Sequence, residues 1–198
     1  MRSAIEAFAD TDWITFRRAL EWPTLTVQWL PDKRAVPGTD YNEHRVVMAT
    51  HTSGQAQDYL QIAKIEMPTT APADPANYNE ERGEIGSHGS AKKPFAFEII
   101  QKINTPSEVN KARYQPQNPE IIATIGPPGR VMIFDRTKHP LTPKDDQIIP
   151  QLELVGHTGD GYGLDWSPFH EGQLATGTED QTVCLWYEIY PTLTMILG

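Results

Sequence analysis

The sequence has little cysteine, few basic residues and no long apolar run. Cys184 is the single cysteine among 198 residues, which excludes an internal disulfide or a thiolate metal cluster and favours a reducing compartment. Lys and Arg number 17 against 26 Asp and Glu. A phosphate-coating surface is therefore not expected, which predicts no direct nucleic-acid partner. No apolar segment is long enough to span a bilayer, and Asp10 and Asp12 argue against a signal peptide in the first residues, so no membrane partner is expected.

Chemical motifs are scarce as well. The six histidines show neither His-x-His nor His-Glu-x-x-His spacing, and the Gly-rich segment 83–90 lacks the Gly-Lys-Ser/Thr ending of a phosphate loop. No Gly-x-Ser-x-Gly nucleophile elbow is present. We therefore expect no metal, no cofactor and no enzymatic activity, and a hydrolase fits poorly.

An internal repeat is the main positive feature. Residues 109–134 align without a gap on residues 161–186, at an offset of 52, with four identities and a shared apolar rhythm. Each copy predicts three short strands: one with an aromatic residue and a terminal Pro, a buried one around Ala-Thr, and a third of alternating pattern. The identical pairs are Pro116 with Pro168, Ala123 with Ala175, Thr124 with Thr176, and Val131 with Val183.

A looser third copy lies upstream, at 25–31, 44–53 and 58–67, and fourth strands are predicted at 97–103 and 151–156. Four-stranded units in series predict an all-β fold, a partial β-propeller, because one such sheet cannot bury both of its faces without neighbours.

The remaining segments frame these blades, which occupy residues 22–187. Residues 1–21 are predicted to form a short N-terminal helix, because their apolar residues approximate a helical stripe. Residues 68–94 are polar and rich in Pro and Gly, which predicts a disordered surface loop. Residues 188–198 form a tail that matches neither repeat.

The repeat also brings acidic positions into correspondence. Glu108 aligns with Asp160, and Asn110 aligns with Tyr162, just ahead of the first strand of each unit. In a propeller these positions lie around one rim of the central channel. Two acids there could attract a Lys or Arg side chain, and Tyr162 offers a ring face for a cation–π contact. The alternative is that loop acids simply keep the surface soluble.

A second constellation surrounds His157. Gly156-His157 stands 29 residues ahead of Trp186, and Asp180 stands six residues before that Trp. We expect Asp180 to accept a hydrogen bond from the imidazole, and the Trp186 indole N–H to donate inward. The other ring nitrogen is expected to meet Thr176 or Thr178. A catalytic His157–Asp180 pair is the alternative, which the missing nucleophile disfavours.

The spacing around His157 resembles the Gly-His to Trp-Asp signature of WD-repeat propellers, with Tyr187 in place of the Asp. Longer strings are more specific. They resemble the histone-binding WD-repeat chaperones that associate with the retinoblastoma protein, a family that includes the second subunit of type B histone acetyltransferase and the small subunit of chromatin assembly factor. The strings lie at 19–31, 44–53, 103–124, 134–140 and 156–168.

This resemblance implies about three blades of a seven-bladed propeller with an N-terminal helix. It implies a non-catalytic histone-binding scaffold in chromatin assembly, histone acetyltransferase or deacetylase complexes. The implied location is nuclear, with a cytoplasmic one as the alternative. In the family a channel-face site takes a basic histone tail. Lys111 stands where an Arg is usual, and Asp160 where a Glu is usual. The matching positions here are Glu108, Asn110, Lys111, Asp160 and Tyr162.

Two other functions stay open at this point. One is a generic WD-repeat interaction module whose partner is not a histone. The other is a truncated, non-functional fragment that unfolds and is degraded. Three blades in a row leave an apolar sheet face and edge strands unpaired, which predicts aggregation or dependence on a partner.

Overall fold

Antiparallel β-strands make up nearly all of the regular structure. The structure is a computed structural model that describes the backbone of residues 4–7, 14–39, 41–68, 78–79, 84–85, 96–189 and 192–197, and the side chains of residues 18–39, 41–67 and 96–187. A 3-10 helix at Arg136–Lys138 follows the eleventh strand. The strands are β1 (Ala4–Ala7), β2 (Ile14–Arg17), β3 (Val27–Ala35), β4 (Tyr41–Ala49), β5 (Asp58–Pro68), β6 (Tyr78–Asn79), β7 (Glu84–Ile85), β8 (Phe97–Thr105), β9 (Lys111–Gln115), β10 (Asn118–Gly126), β11 (Arg130–Asp135), β12 (Leu152–Leu154), β13 (Gly161–Trp166), β14 (Leu174–Thr178), β15 (Val183–Ile189) and β16 (Thr192–Leu197).

Twelve of these strands form three four-stranded sheets, each of which we number in chain order. The first sheet has the order β3-β4-β5-β8, the second β9-β10-β11-β12, and the third β13-β14-β15-β16. The predicted series of three four-stranded blades is confirmed. The fourth strands predicted at 97–103 and 151–156 are β8 and β12.

Side-chain alternation along each strand explains why the sheets stack. In β10, Ile122 pairs with Phe134 of β11, and the next residue, Ala123, pairs with Ile133. Ile122 and Phe134 belong to the core that includes Leu60 of the first sheet. Ala123 and Ile133 belong to the core shared with the third sheet. Successive side chains of a strand point to opposite faces, so both faces of the second sheet are buried.

Two hydrophobic cores result, one on either side of the second sheet. The core between the first and second sheets is built largely from aliphatic side chains around Phe134, which is fully buried. The core between the second and third sheets contains Trp166, Trp186 and Cys184. Burial raises the pKa of the Cys184 thiol. Trp166 also donates its indole N–H to the carbonyl of Arg113 in the second sheet, at 2.9 Å.

The chain divides into two units. One comprises Met1–Glu21, Asp32–Arg45 and Lys64–Glu98. In it Arg45 Nε contacts a carboxylate oxygen of Asp32 at 2.6 Å. The other comprises Trp22–Pro31, Val46–Ala63 and Ile99–Gly198, and it contains both cores and every residue discussed as a candidate site.

The N-terminal segment differs from its prediction. Residues 4–7 and 14–17 do not form the predicted helix; they are strands β1 and β2, paired antiparallel with Ala7 opposite Ile14. The sequence Ile14-Thr15-Phe16 consists of β-branched and aromatic residues, which favour strands, and this preference outweighs the approximate helical spacing. The other residues of 1–13 lie outside the described part of the chain.

The two remaining segments also carry strands. The predicted disordered loop at 68–94 contains β6 and β7, which pair with each other, and its other residues after Pro68 lie outside the described part of the chain. The C-terminal tail supplies β16, which pairs with β15 and completes the third sheet. Its residues alternate Thr192, Thr194 and Ile196 with Leu193, Met195 and Leu197, a pattern typical of a strand.

Candidate functional site

The acidic residues predicted to share a rim lie at the same end of two adjacent sheets. Lys111, the first residue of β9, pairs with Ile125 near the end of β10. Gly161, the first residue of β13, pairs with Thr178 at the end of β14. The segments that precede β9 and β13 therefore lie beside the β10–β11 and β14–β15 turns, respectively. Glu108 and Asp160 belong to these two segments.

Asn110 links the two segments directly. Its Nδ2 donates to the carbonyl of Gly161 at 3.0 Å. Its backbone N–H donates to the carbonyl of Ile125 at 2.9 Å. Gly161 is tightly enclosed, because a Cβ there would lie 2.3 Å from the Ile125 side chain. The amide of Asn110 thus holds the start of the third sheet against the second sheet.

Tyr162 lies among carboxylates and is 53% exposed. The carboxylate of Glu179 raises the pKa of the Tyr162 phenol most strongly, with smaller contributions from burial, Asp160 and Glu108, because negative charge opposes the phenolate. The same field attracts cations. An accessible ring face beside several carboxylates suits a Lys or Arg side chain.

The five predicted rim residues are all placed at this end of the sheets. Glu108, Asn110, Lys111 and Asp160 are half-buried, and Tyr162 is exposed. We refer to Glu108, Asn110, Lys111, Asp160 and Tyr162 as the acidic rim. Glu179, in the β14–β15 turn, escaped the sequence analysis because the repeat alignment compared only the segments ahead of the first strands. Its position directly before Asp180 is the signal that could have found it.

The side chains around His157 form a hydrogen-bonded chain in the third sheet. Trp186 Nε1 donates to Thr176 Oγ1 at 2.7 Å, and that hydroxyl lies 2.7 Å from His157 Nε2. His157 Nδ1 lies 2.9 Å from Thr182 Oγ1 and 3.0 Å from Thr178 Oγ1. Both of these hydroxyls donate to Asp180 Oδ1.

The donors and acceptors select one tautomer of His157. The hydroxyl protons of Thr178 and Thr182 are directed to the Asp180 carboxylate, so their oxygens can only accept from the imidazole, and Nδ1 carries the proton. A neutral ring then accepts at Nε2 from the hydroxyl of Thr176. Every donor in this chain points from Trp186 toward Asp180, and such ordered chains strengthen each bond.

One detail of the predicted network is wrong. His157 Nδ1 and Asp180 Oδ2 are 3.6 Å apart, which is too long for a hydrogen bond. The hydroxyls of Thr178 and Thr182 bridge the gap because they lie between the two groups. Thr182 was missed in the sequence. Its backbone N–H donates to Asp180 Oδ1 at 2.9 Å, and this Asx-turn geometry two residues after an Asp is the signal for it.

Hydrogen bonding also sets the charge of Asp180. The hydroxyl of Thr178, then that of Thr182 and the backbone N–H of Thr158, hold the pKa of the Asp180 carboxyl well below its usual range. The carboxylate is therefore an acceptor occupied by several donors. This arrangement suits a fixed structural anion better than a catalytic base.

Two absences hold for the part of the chain that the structure describes. No group of three or more His, Cys, Asp and Glu side chains in that part is arranged to hold a metal ion. No helix in the same residues is long and apolar enough to cross a membrane.

Comparison with known proteins places this geometry in a family. Residues 14–69 match the family model for histone-binding protein RBBP4 and its counterpart in the CAF1 complex. This match spans most of the first sheet. The recognised class is therefore that of histone-binding proteins of this type, and the resemblance stated from the sequence strings is confirmed.

Within that class the similar curated proteins share one name. Histone acetyltransferase type B subunit 2 from Aspergillus fumigatus is 57% identical over 85% of this chain and 39% of its own length. The proteins of that name from Neurospora crassa and Schizosaccharomyces pombe are 54% and 46% identical, over 85% and 87% of this chain and 39% of their own lengths. The chain spans about two fifths of the length of these relatives.

Solved structures give a weaker likeness. A chain of a humanized mutant of the Chaetomium thermophilum Polycomb Repressive Complex 2 bound to the inhibitor GSK126 superposes with a TM-score of 0.49 and 18% identity, covering 84% of this chain and 28% of that chain. The family assignment rests on the sequence matches.

Proposed function

We propose that this chain is a non-catalytic histone-binding scaffold subunit of chromatin assembly, histone acetyltransferase or deacetylase complexes, and that it acts in the nucleus. The name shared by its relatives supports a subunit of a histone-modifying enzyme, and the description of the matching family model supports histone binding.

The surroundings of Tyr162 carry the proposal. A half-exposed aromatic ring lies in the field of three carboxylates, at the end of two sheets that Asn110 holds together. Histone tails are rich in Lys and Arg. In this proposal Glu108 and Asp160 accept hydrogen bonds from a cationic tail side chain, and the Tyr162 ring supports its stem or its charge.

The other two residues of the acidic rim have supporting roles. Asn110 fixes the distance between the two acidic segments through its hydrogen bond to Gly161. Lys111 begins β9 directly after Asn110 and completes the set of positions that match the family's tail site. Its positive charge disfavours a second cation close to the first, which sets a register for the tail.

The direct test is binding of core-histone tail peptides, measured by fluorescence anisotropy with the 198-residue chain. Glu108→Gln combined with Asp160→Asn should weaken binding at least about tenfold, since one charge-assisted hydrogen bond contributes about 1.5–3 kcal/mol. Wild-type affinity should also fall as salt is added. Glu171→Gln is the matched control, because Glu171 is an exposed acid at the β13–β14 turn, the opposite end of the third sheet.

Unchanged binding by the double variant would show that the acidic rim is wrongly assigned. The generic interaction module is distinguished by affinity capture from nuclear extract with the same chain. Core histones should dominate the captured proteins, and their loss with the double variant ties capture to the acidic rim. A profile without histones would favour the generic module.

A further inference from the structure

The β14–β15 turn lies directly against the segment that carries Asp160. Glu179, the first residue of that turn, donates its backbone N–H to the carbonyl of Asp160 at 2.9 Å. The turn therefore has a fixed position relative to the acidic rim. The side chain of Glu179 starts from this anchored backbone.

The same contact is fastened a second time by Asp180. Asp180 Oδ2 accepts from the backbone N–H of Thr158 at 2.7 Å. Between Thr158 and Asp160 stands Gly159, where a Cβ would lie 2.7 Å from the backbone N of Asp180 and 3.2 Å from the carbonyl carbon of Glu179. Real Cβ atoms do not approach backbone that closely. Glycine thus permits the turn and the segment to meet backbone to backbone.

Electrostatics indicate where the Glu179 carboxylate lies. Among the charges that raise the pKa of the Tyr162 phenol, Glu179 acts more strongly than Asp160 or Glu108. Coulomb interactions fall with distance, so its carboxylate is effectively the closest of the three to the phenol end of the ring. The ring consequently has acids on the side of β13 and on the side of the β14–β15 turn.

We infer that Glu179 is a third carboxylate of the tail-binding site, which holds the cationic head of a Lys or Arg side chain between itself and Asp160 over the Tyr162 ring. The inference rests on the function proposed for the acidic rim. Asp180 and Gly159 are positioning residues in this arrangement, because they fix the turn against the segment without facing the ligand. The hydrogen-bonded chain that begins at Trp186 thus ends at the binding surface.

The test compares Glu179→Gln with the wild-type chain, using core-histone tail peptides in the anisotropy assay. Glu179→Gln should weaken binding about tenfold, and Glu179→Asp should retain most of the affinity. Glu179→Gln keeps the backbone N–H, so its thermal melt should match that of the wild type. Glu171→Gln again serves as the control and should change nothing.

A second readout follows the Tyr162 phenol by NMR of ¹³C-labelled tyrosine, with the signal assigned by Tyr162→Phe. Its titration should move to lower pH in Glu179→Gln and stay in place in Glu171→Gln. Wild-type binding by Glu179→Gln, in a chain that loses binding with Glu108→Gln and Asp160→Asn, would overturn this inference and leave the proposed function standing. A wild-type chain that binds no tail peptide would overturn both.

Discussion

Ile133 and Leu185 occupy the same position of the repeat, 52 residues apart, yet Ile133 is 6% exposed and Leu185 is 57% exposed. Ile133 is covered by the third sheet, whereas Leu185 lies on the face of the third sheet that points away from the second. Val131 and Val183 repeat the contrast, at 0% and 65%. The described part of the third sheet thus carries an apolar face built for a neighbour.

This contrast predicts opposite outcomes for one substitution at the two positions. Leu185→Glu should leave the thermal transition nearly unchanged and reduce light scattering, because it removes exposed apolar surface. Ile133→Glu should abolish the cooperative transition, because an unpaired buried charge costs a large part of a typical total stability of about 5–15 kcal/mol. Circular dichroism melts with scattering detection measure both. Equal effects would contradict the assigned faces.

Thr176 is the central hydroxyl of the hydrogen-bonded chain, and its removal should be costly. Thr176→Val keeps the shape but leaves the Trp186 indole N–H and His157 Nε2 without their partner in a buried site. We expect a loss of about 2–4 kcal/mol in the free energy of unfolding, measured by urea titration.

The control for this experiment is Thr124→Val in the second sheet. Thr124 occupies the equivalent repeat position, where Thr105 and Phe134 replace His157 and Trp186. Its substitution should cost clearly less. A loss for Thr176→Val no larger than that for Thr124→Val would mean that the chain contributes little stability.

Asp180 should make stability depend on pH in the acid range. Its pKa is lowered in the folded state, so its contribution is fully present above the ordinary carboxyl value of about 3.9 and is lost as the pH falls below that value. Asp180→Asn should therefore lower stability at about pH 7 and change it much less at about pH 3. Urea unfolding at both pH values tests this, and a pH-independent difference would refute it.

Two glycines separate backbone strain from crowding. Gly54 and Gly129 both adopt a positive φ, of 73° and 79°. A Cβ at Gly54 would meet nothing within 4 Å, whereas one at Gly129 would lie 2.6 Å from the carbonyl oxygen of Gly159 and 2.7 Å from His157 Cβ.

Gly54→Ala should cost about 1–2 kcal/mol from the left-handed backbone alone. Gly129→Ala should cost about 1–3 kcal/mol more, because it also forces overpacking. Chemical denaturation of the two variants gives the difference. Equal losses would show that the β10–β11 turn yields without resistance.

The sequence predicts most of the strands because the repeat aligns alternating patterns that must all bury the same faces. The ends of the strands follow as well, so Glu108 and Asp160 could be assigned to one rim. Contacts across turns are less accessible to a pattern. Glu179 meets the Asp160 segment only because β14 pairs with β13, and Thr182 reaches His157 only because its turn folds back over Asp180.

The N-terminal segment shows a different limit of such patterns. The apolar spacing of residues 5–20 fits a helix roughly, but the local preference of Ile14, Thr15 and Phe16 for extended backbone decides the structure. Short strands of four residues are too brief for periodicity to distinguish them from helical turns.

The order of the first sheet has a consequence for chain entropy. Its fourth strand, β8, joins the sheet only after the intervening residues 69–96, while the fourth strands of the other two sheets follow shorter connections. Closing a loop becomes only about 0.6 kcal/mol more costly with each doubling of its length. The span between β5 and β8 is therefore the natural place to insert an affinity tag or a fluorescent label, since the sheet that it interrupts is nearly indifferent to its length.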